Sequence, residues 1–168
     1  FEIPSETIRK GLTDFDGVQR RFTLQGEVKG VMVVDDYAHH PTEIRATISG
    51  ARTSFADKRN VAVVQPHRYS RLRDNFEDFV ACLDDADTVV VTDVHPAGES
   101  PIPGIDGEAL ANAVRARHPD RPVQHASDFE ALPGQLASLC RPGDLVLTLG
   151  AGSITRIGPR LVQQLEAK

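Results

Sequence analysis

The sequence predicts an α/β protein: a Rossmann-like, doubly wound, mostly parallel sheet with one antiparallel edge strand and helices on both faces. Three observations carry this. Short Val-rich runs of strand length recur at Val31–Val34, Val61–Val64, Thr88–Thr92 and Leu145–Leu149, with a weaker one at Val123–His125. They do not alternate in polarity, which suits strands covered on both faces. The stretches between them have helical spacing, and strand alternating with helix implies right-handed crossovers.

Residues 1–19 carry Gly11 and Gly17 and little pattern, and read as a short helix and a lead-in linker. Residues 20–27 look like an extra strand, folded back on Val31–Val34 through a turn in Gly26–Gly30. Ile44, Ile48, Ala51 and Phe55 then share one helical face. So do Leu72, Phe76, Phe79, Val80 and Leu83, then Leu110 and Val114, then Phe129, Leu132, Leu136 and Leu139. Ile154, Ile157, Leu161, Val162 and Leu165 line up as a last helix, interrupted by Gly158-Pro159. Either a start at Pro159 or a kink there fits that interruption.

The chain has 168 residues, enough for one domain with a real core. Its formal charge of −5 gives no strong pull toward nucleic acid or an anionic membrane. No apolar stretch approaches the roughly 20 residues that span a bilayer, and no signal peptide is visible. The charge is uneven: residues 1–80 hold 12 basic and 12 acidic side chains, residues 81–168 hold 7 and 12. Cys82 and Cys140 sit in apolar helical patterns without metal-like spacing and read as reduced core thiols, which points weakly to the cytoplasm.

Ligands of open parallel sheets gather at the carboxyl ends of the strands, and four loops qualify here. The first, Asp35–Pro41, packs two acids, a tyrosine and two histidines after a buried strand. Pro41 suits the first turn of a helix, and His40 or Asp36 could serve free amides at that helix end. Capping needs one side chain, not five, so capping alone does not explain the cluster. Metal binding through Asp35, Asp36, His39 and His40 is an alternative, but adjacent histidines do not readily face one ion and no third ligand has convincing spacing. The second loop holds His67, Arg68 and Arg71, and two guanidinium groups near a helix start would receive a carboxylate or phosphate. The third is the long segment Asp93–Gly104. The fourth, Gly150-Ala151-Gly152, resembles a phosphate turn but lacks a third glycine, and tight strand-to-helix packing explains it better. G-x-x-x-x-G-K-[ST], the ATP-cradling loop, occurs nowhere in the sequence.

At these loops the sequence resembles the C-terminal domain of the Mur ligases. The likeness rests on "RRFTLQG", "DDYAHHPTEI", "QPHRYSRLRD", "HPAGESPIPGIDG" and "LTLGAGSI", in order, from Gly17 to Ile157. "DYAHHP" alone fits several members, including the ligase that recycles murein peptide; "QPHRYSR" favours the alanine-adding branch. The resemblance implies that residues 20–168 form the third of three domains, residues 1–19 leading into it. The UDP-binding and central P-loop domains are then absent from this chain, and the missing phosphate loop belongs to the latter. It implies ATP-dependent amide formation in peptidoglycan precursor synthesis, with UDP-N-acetylmuramate, L-alanine and ATP as reactants and Mg2+ held on the central domain. Matched by position, Asp36 is the aspartate that contacts the ATP ribose, and Arg21 reaches the nucleotide. Tyr37 and His39 line the amino-acid side of the cleft, Arg68 and Arg71 hold the alanine carboxylate, and His67 lies beside the reacting centre. His39 or His67 would take a proton from the amine. The fragment alone is expected to be inactive. A non-catalytic module for small carboxylates and a metal-dependent hydrolase are the other classes the residues allow.

Overall fold

The computed structural model describes residues 3–14 and 18–168. The part of the expected linker that contains Gly17 lies outside the described residues. Helix α1 (Ser5–Thr13) comes first and buries no side chain. β1 (Thr23–Val28) and β2 (Val31–Asp36) form the expected antiparallel pair. Lys29 and Gly30 join them, both with left-handed backbone (φ 51° and 76°), the two-residue turn that matches strand twist.

The chain continues through α2 (Pro41–Ser54), β3 (Arg59–Val64), α3 (Tyr69–Asp74), α4 (Phe76–Ala81) and β4 (Thr88–Thr92). It ends with α5 (Gly107–Arg117), β5 (Val123–Ala126), α6 (Leu132–Leu139), β6 (Asp144–Leu149), a 3-10 turn (Ser153–Arg156) and α7 (Ile157–Ala167). The sheet order is β1-β2-β6-β3-β4-β5, parallel except for the β1–β2 pair. β6 enters last and slots between β2 and β3, so the loops after β2, β3, β4 and β6 all open at one edge.

Both sheet faces are dry. Ile44, Ile48 and Ala51 of α2, Leu72 of α3, Phe79 of α4 and Leu110 and Val114 of α5 cover one face. Leu132 and Leu136 of α6 and Ile157, Leu161 and Leu165 of α7 cover the other. This is why the strands read as unbroken apolar runs. Among the described residues no helix is long and apolar enough to cross a membrane.

Local chemistry moves three boundaries from their expected places. Arg20–Phe22 are not strand, because Arg20 and Phe22 take left-handed backbone (φ 60° and 48°). The helix expected to run through Leu72 and Leu83 breaks at Asn75 (φ −127°), whose side-chain amide donates to the Arg71 carbonyl at 2.9 Å. Asn competes for backbone acceptors in this way and interrupts helices. Phe129 falls just before α6. At the end of the chain, Pro159 sits in the first turn of α7, where its missing N–H costs no helical bond.

Candidate functional site at the carboxyl edge of the sheet

The two aspartates that end β2 have separate tasks. Asp35 is fully buried, accepts from the Thr148 and Thr155 hydroxyls at 2.8 and 3.0 Å, and pairs with the Arg20 guanidinium at 3.1 Å. Arg20 also donates to the Gly150 carbonyl, so this part-buried ion pair ties β2 to the loop after β6. Asp36 accepts from the main-chain amides of Phe22 and Ala38 at 2.7 and 2.8 Å, one on each oxygen. It also lines a cavity of about 400 Å³ with Phe22, Ala46, Thr47, Gly50 and Ser54. Phe22 stacks on Phe55, with centroids 6.1 Å apart, at the side of this cavity.

His40 is the N-cap of α2, accepting from the Thr42 amide at 3.4 Å. Glu43 closes the capping box by accepting from the amides of His39 and His40 at 3.0 and 3.2 Å. Burial works against the Glu43 carboxylate, yet those amides and the neighbouring His39 and Arg21 hold its pKa below the ordinary value. Asp35 and His40 are therefore structural, and Asp35, Asp36, His39 and His40 do not converge on one point. Among the described residues no group of three or more His, Cys, Asp or Glu could hold a metal ion.

Across the loops runs a row of rings. Tyr37 meets His39 edge-on at 5.0 Å, His39 meets His67 edge-on at 5.8 Å, and His67 stacks on His95 at 5.3 Å. The Arg20 and Arg21 guanidinium carbons lie 4.9 and 6.0 Å from the Tyr37 ring, within cation–π range. Arg21, unlike Arg20, is exposed.

The tautomers follow from the partners. The His39 Nδ1 lies 2.9 Å from the Tyr37 carbonyl, which can only accept, so Nδ1 carries the proton and Nε2 of the neutral ring is a free acceptor. The His67 Nδ1 lies 3.2 Å from the Arg71 Nη1, which can only donate, so the neutral ring carries its proton on Nε2. Burial, then the charges of Arg71, His95, His39 and Arg68, lower the His67 pKa to about 4. The two rings thus present opposite faces: one accepts a proton at Nε2, the other donates a hydrogen bond there.

Arg71 also donates to the His67 carbonyl at 3.2 Å. Arg68 takes left-handed backbone (φ 71°) and its amide donates to the His95 carbonyl at 2.9 Å. A β-branched or bulky side chain rarely adopts that conformation without a surrounding structure that enforces it. The Arg68 side chain is exposed and meets no carboxylate or carbonyl among the described residues. Of the two residues expected to grip a carboxylate, Arg71 contacts His67, whose ring meets His39, and Arg68 is the exposed residue next to His67 in the chain.

Sequence reasoning missed Arg20, Gln65, His95 and Glu99. Gln65 holds the turn after β6: its Oε1 accepts from the Ile154 amide at 3.0 Å. A Cβ on Gly152 would lie 2.5 Å from the His95 ring and 2.6 Å from Gln65 Oε1, so that glycine serves close packing. His95 opens the motif "HPAGESPIPGIDG" in the third loop, but nothing in that motif shows that its ring stacks on His67.

A mostly parallel sheet with guanidinium and imidazole side chains on its strand-end loops defines an α/β domain of the open-sheet class, whose ligands gather at that edge. The chain belongs to the Mur ligase family: the family's sequence model described as "Mur ligase, glutamate ligase domain" matches residues 20–152. It is 52% identical over 99% of its length to a UDP-N-acetylmuramate–L-alanine ligase of Geobacter sp. (strain M21), and 48% identical over 99% to that of Geobacter sulfurreducens. It spans 36% of the length of each of these relatives. The crystal structure of a UDP-N-acetylmuramate–alanine ligase from Thermotoga maritima superposes with a TM-score of 0.71 at 27% identity, over 94% of this chain and 32% of that one.

Proposed function

We propose that residues 20–168 are the C-terminal domain of an ATP-dependent ligase that joins L-alanine to UDP-N-acetylmuramate in peptidoglycan precursor synthesis, in the cytoplasm. Residues 1–19 lead in from a central domain that carries the phosphate loop and Mg2+. One observation carries the reading: Arg71 bonds to His67, the His67 ring meets His39, which in turn meets Tyr37, and the exposed Arg68 immediately follows His67.

The chemistry sets what these groups must do. ATP phosphorylates the substrate carboxylate, giving an acyl phosphate and ADP. The alanine nitrogen attacks the acyl carbon, the C–N bond forms, the C–O bond to phosphate breaks, and the amine loses a proton. Alanine offers little but charge to grip. Arg68 and Arg71 hold its carboxylate by charge-assisted hydrogen bonds, each contributing about 1.5–3 kcal/mol. A fixed carboxylate aims the amine, and such orientation supplies up to roughly 7–11 kcal/mol of barrier reduction in favourable cases. His39 is the better placed base, because its Nδ1 proton is anchored on the Tyr37 carbonyl, which leaves Nε2 of the neutral ring as the acceptor. His67 stays neutral and positions the amino acid through its Nε2–H. On the nucleotide side, Asp36 and the exposed Arg21 fit a ribose and a phosphate: the carboxylate borders a cavity with an aromatic wall and a small-residue helix face.

These loops form one wall of a cleft. The 168-residue chain alone is expected to bind L-alanine weakly and to leave ATP intact. In the entire polypeptide that carries this chain, phosphate release should require ATP, UDP-N-acetylmuramate and L-alanine together. Arg68→Ala should raise the KM for L-alanine roughly tenfold to a hundredfold while leaving the KM for ATP near its starting value. Equal rises in both, or turnover without L-alanine, would refute the assignment.

A further inference from the structure

The loop after β4 never reaches the rings at the edge-on end of the row, yet it grips the arginine-bearing turn at several points. The His95 amide donates to the Pro66 carbonyl at 2.8 Å, and the Arg68 amide donates back to the His95 carbonyl. Next comes a tight turn in which Ala97 and Gly98 are both left-handed (φ 49° and 88°), closed by the Glu99 amide on the Pro96 carbonyl at 3.0 Å. That turn delivers the Glu99 carboxylate to the start of α3. One oxygen accepts from the Ser70 hydroxyl at 2.6 Å and the other from the Ser70 amide at 2.9 Å. These bonds, the Ser70 hydroxyl foremost, hold the Glu99 carboxyl below its ordinary range.

α3 has six residues and ends at the Asn75 break. A helix that short has no stability of its own. Its first turn nevertheless has to hold Arg68 in left-handed backbone and Arg71 one turn further on. A constraint from outside the helix is required, and the Glu99–Ser70 pair is placed to supply it.

We propose that Glu99 is a positioning residue for the arginine pair: through Ser70 it locks Arg68 and Arg71 into the geometry that receives the amino-acid carboxylate, without touching that substrate itself. The inference rests on the function proposed above and adds the loop that sets affinity for the amino acid.

The test is steady-state kinetics on the entire polypeptide. Glu99→Ala should raise the KM for L-alanine about tenfold, with kcat and the KM for ATP within about twofold of wild type. Ser70→Ala keeps the amide bond and should give a smaller rise. The double variant should be no worse than Glu99→Ala alone, since both act through one contact. Glu99→Gln retains an acceptor oxygen and should recover part of the loss. Should Glu99→Ala fail to fold, Glu99→Gln and Ser70→Ala decide by the same KM split. An unchanged KM for L-alanine, or equal rises for L-alanine and ATP, overturns the tether. Wild-type enzyme that ignores L-alanine overturns the substrate assignment instead, so the two failures are distinguishable.

Discussion

The two edges of the sheet use the same side chains to opposite ends. At the amino edge, arginines meet acids. Arg59 grips Asp144 with two bonds of 2.8 and 2.7 Å, Arg52 pairs with Asp87 at 2.8 Å, and Arg117 and His118 share Asp84. Arg121, its charge disfavoured by burial, donates to the carbonyls of Leu83 and Asp84. A cavity of about 640 Å³ opens there, larger than the two of about 400 and 200 Å³ near the carboxyl edge. Its guanidinium groups are already engaged. At the carboxyl edge Arg68 has no acid among the described residues, and Arg71 donates to an imidazole and a carbonyl. Left-handed non-glycine backbone also gathers there, at Arg20, Phe22, Arg68 and Ala97. Cavity size favours the amino edge; the Arg68 charge, unneutralised among the described residues and on enforced backbone, favours the carboxyl edge, where the proposed site lies.

The most forceful way to break this contrast is at Arg59. Asp144 is fully buried, and without Arg59 its carboxylate keeps only the Arg141 amide, at 2.9 Å. Arg59→Ala should lower unfolding free energy by about 3–5 kcal/mol, because a buried charge loses its partner. Urea unfolding of the 168-residue chain measures this, and a loss under about 1 kcal/mol would show the amino edge is not structural in the sense argued. Arg71→Ala sharpens the contrast from the other side. It removes two hydrogen bonds to one residue, so stability should fall by no more than about 1–2 kcal/mol. The KM for L-alanine in the entire polypeptide should rise at least about tenfold. A variant that unfolds while its surviving activity keeps the normal L-alanine requirement would place Arg71 with the amino-edge arginines.

The same contrast explains what could be read from the sequence. Strands buried on both faces advertise themselves as Val-rich runs, so the sheet and its mostly parallel sense were legible, though the insertion of β6 between β2 and β3 was not. The placing of Arg68, Arg71, His39 and Tyr37 at the carboxyl ends of strands was legible, because they follow Val-rich runs within recognisable motifs. The division of labour within pairs was not. Nothing in "DD" says that Asp35 turns inward to Thr148 and Thr155 while Asp36 takes two amides. Nothing in "RR" says that Arg20 is half-buried against Asp35 and Arg21 exposed. Those choices depend on left-handed backbone at Arg20 and Phe22, a tertiary constraint with no glycine to mark it. Glu99 lies inside a motif that could be read, but its partner Ser70 lies in another crossover, so their pairing was hidden.

The subtlest difference between the edges is their response to acid. The His67 pKa is about 4, below the ordinary imidazole value of about 6.5. Above pH 6.5 neither the folded nor the unfolded state holds the extra proton, and His67 contributes no pH dependence. As pH falls from 6.5 toward 4, the unfolded chain takes up the proton and the folded chain resists it, so stability drops. Screening by solvent at this partly exposed ring limits the loss to about 1–2 kcal/mol. At the amino edge Asp84 also loses stability in acid, but in a lower pH window. The Arg117 hydrogen bond, with help from His118, holds it at about 2, so its stabilisation survives until pH falls below about 3.8. Between pH 7 and pH 4.5 the carboxyl edge should therefore weaken while the amino-edge pair holds. Urea midpoints at those two pH values should fall further for wild type than for His67→Asn, whose side chain does not titrate. Arg71→Ala should shrink the drop by removing the cation nearest the ring. Equal drops in wild type and His67→Asn would mean that His67 protonates as readily folded as unfolded, and that the guanidinium groups beside it exert no field on the pocket they are held to define.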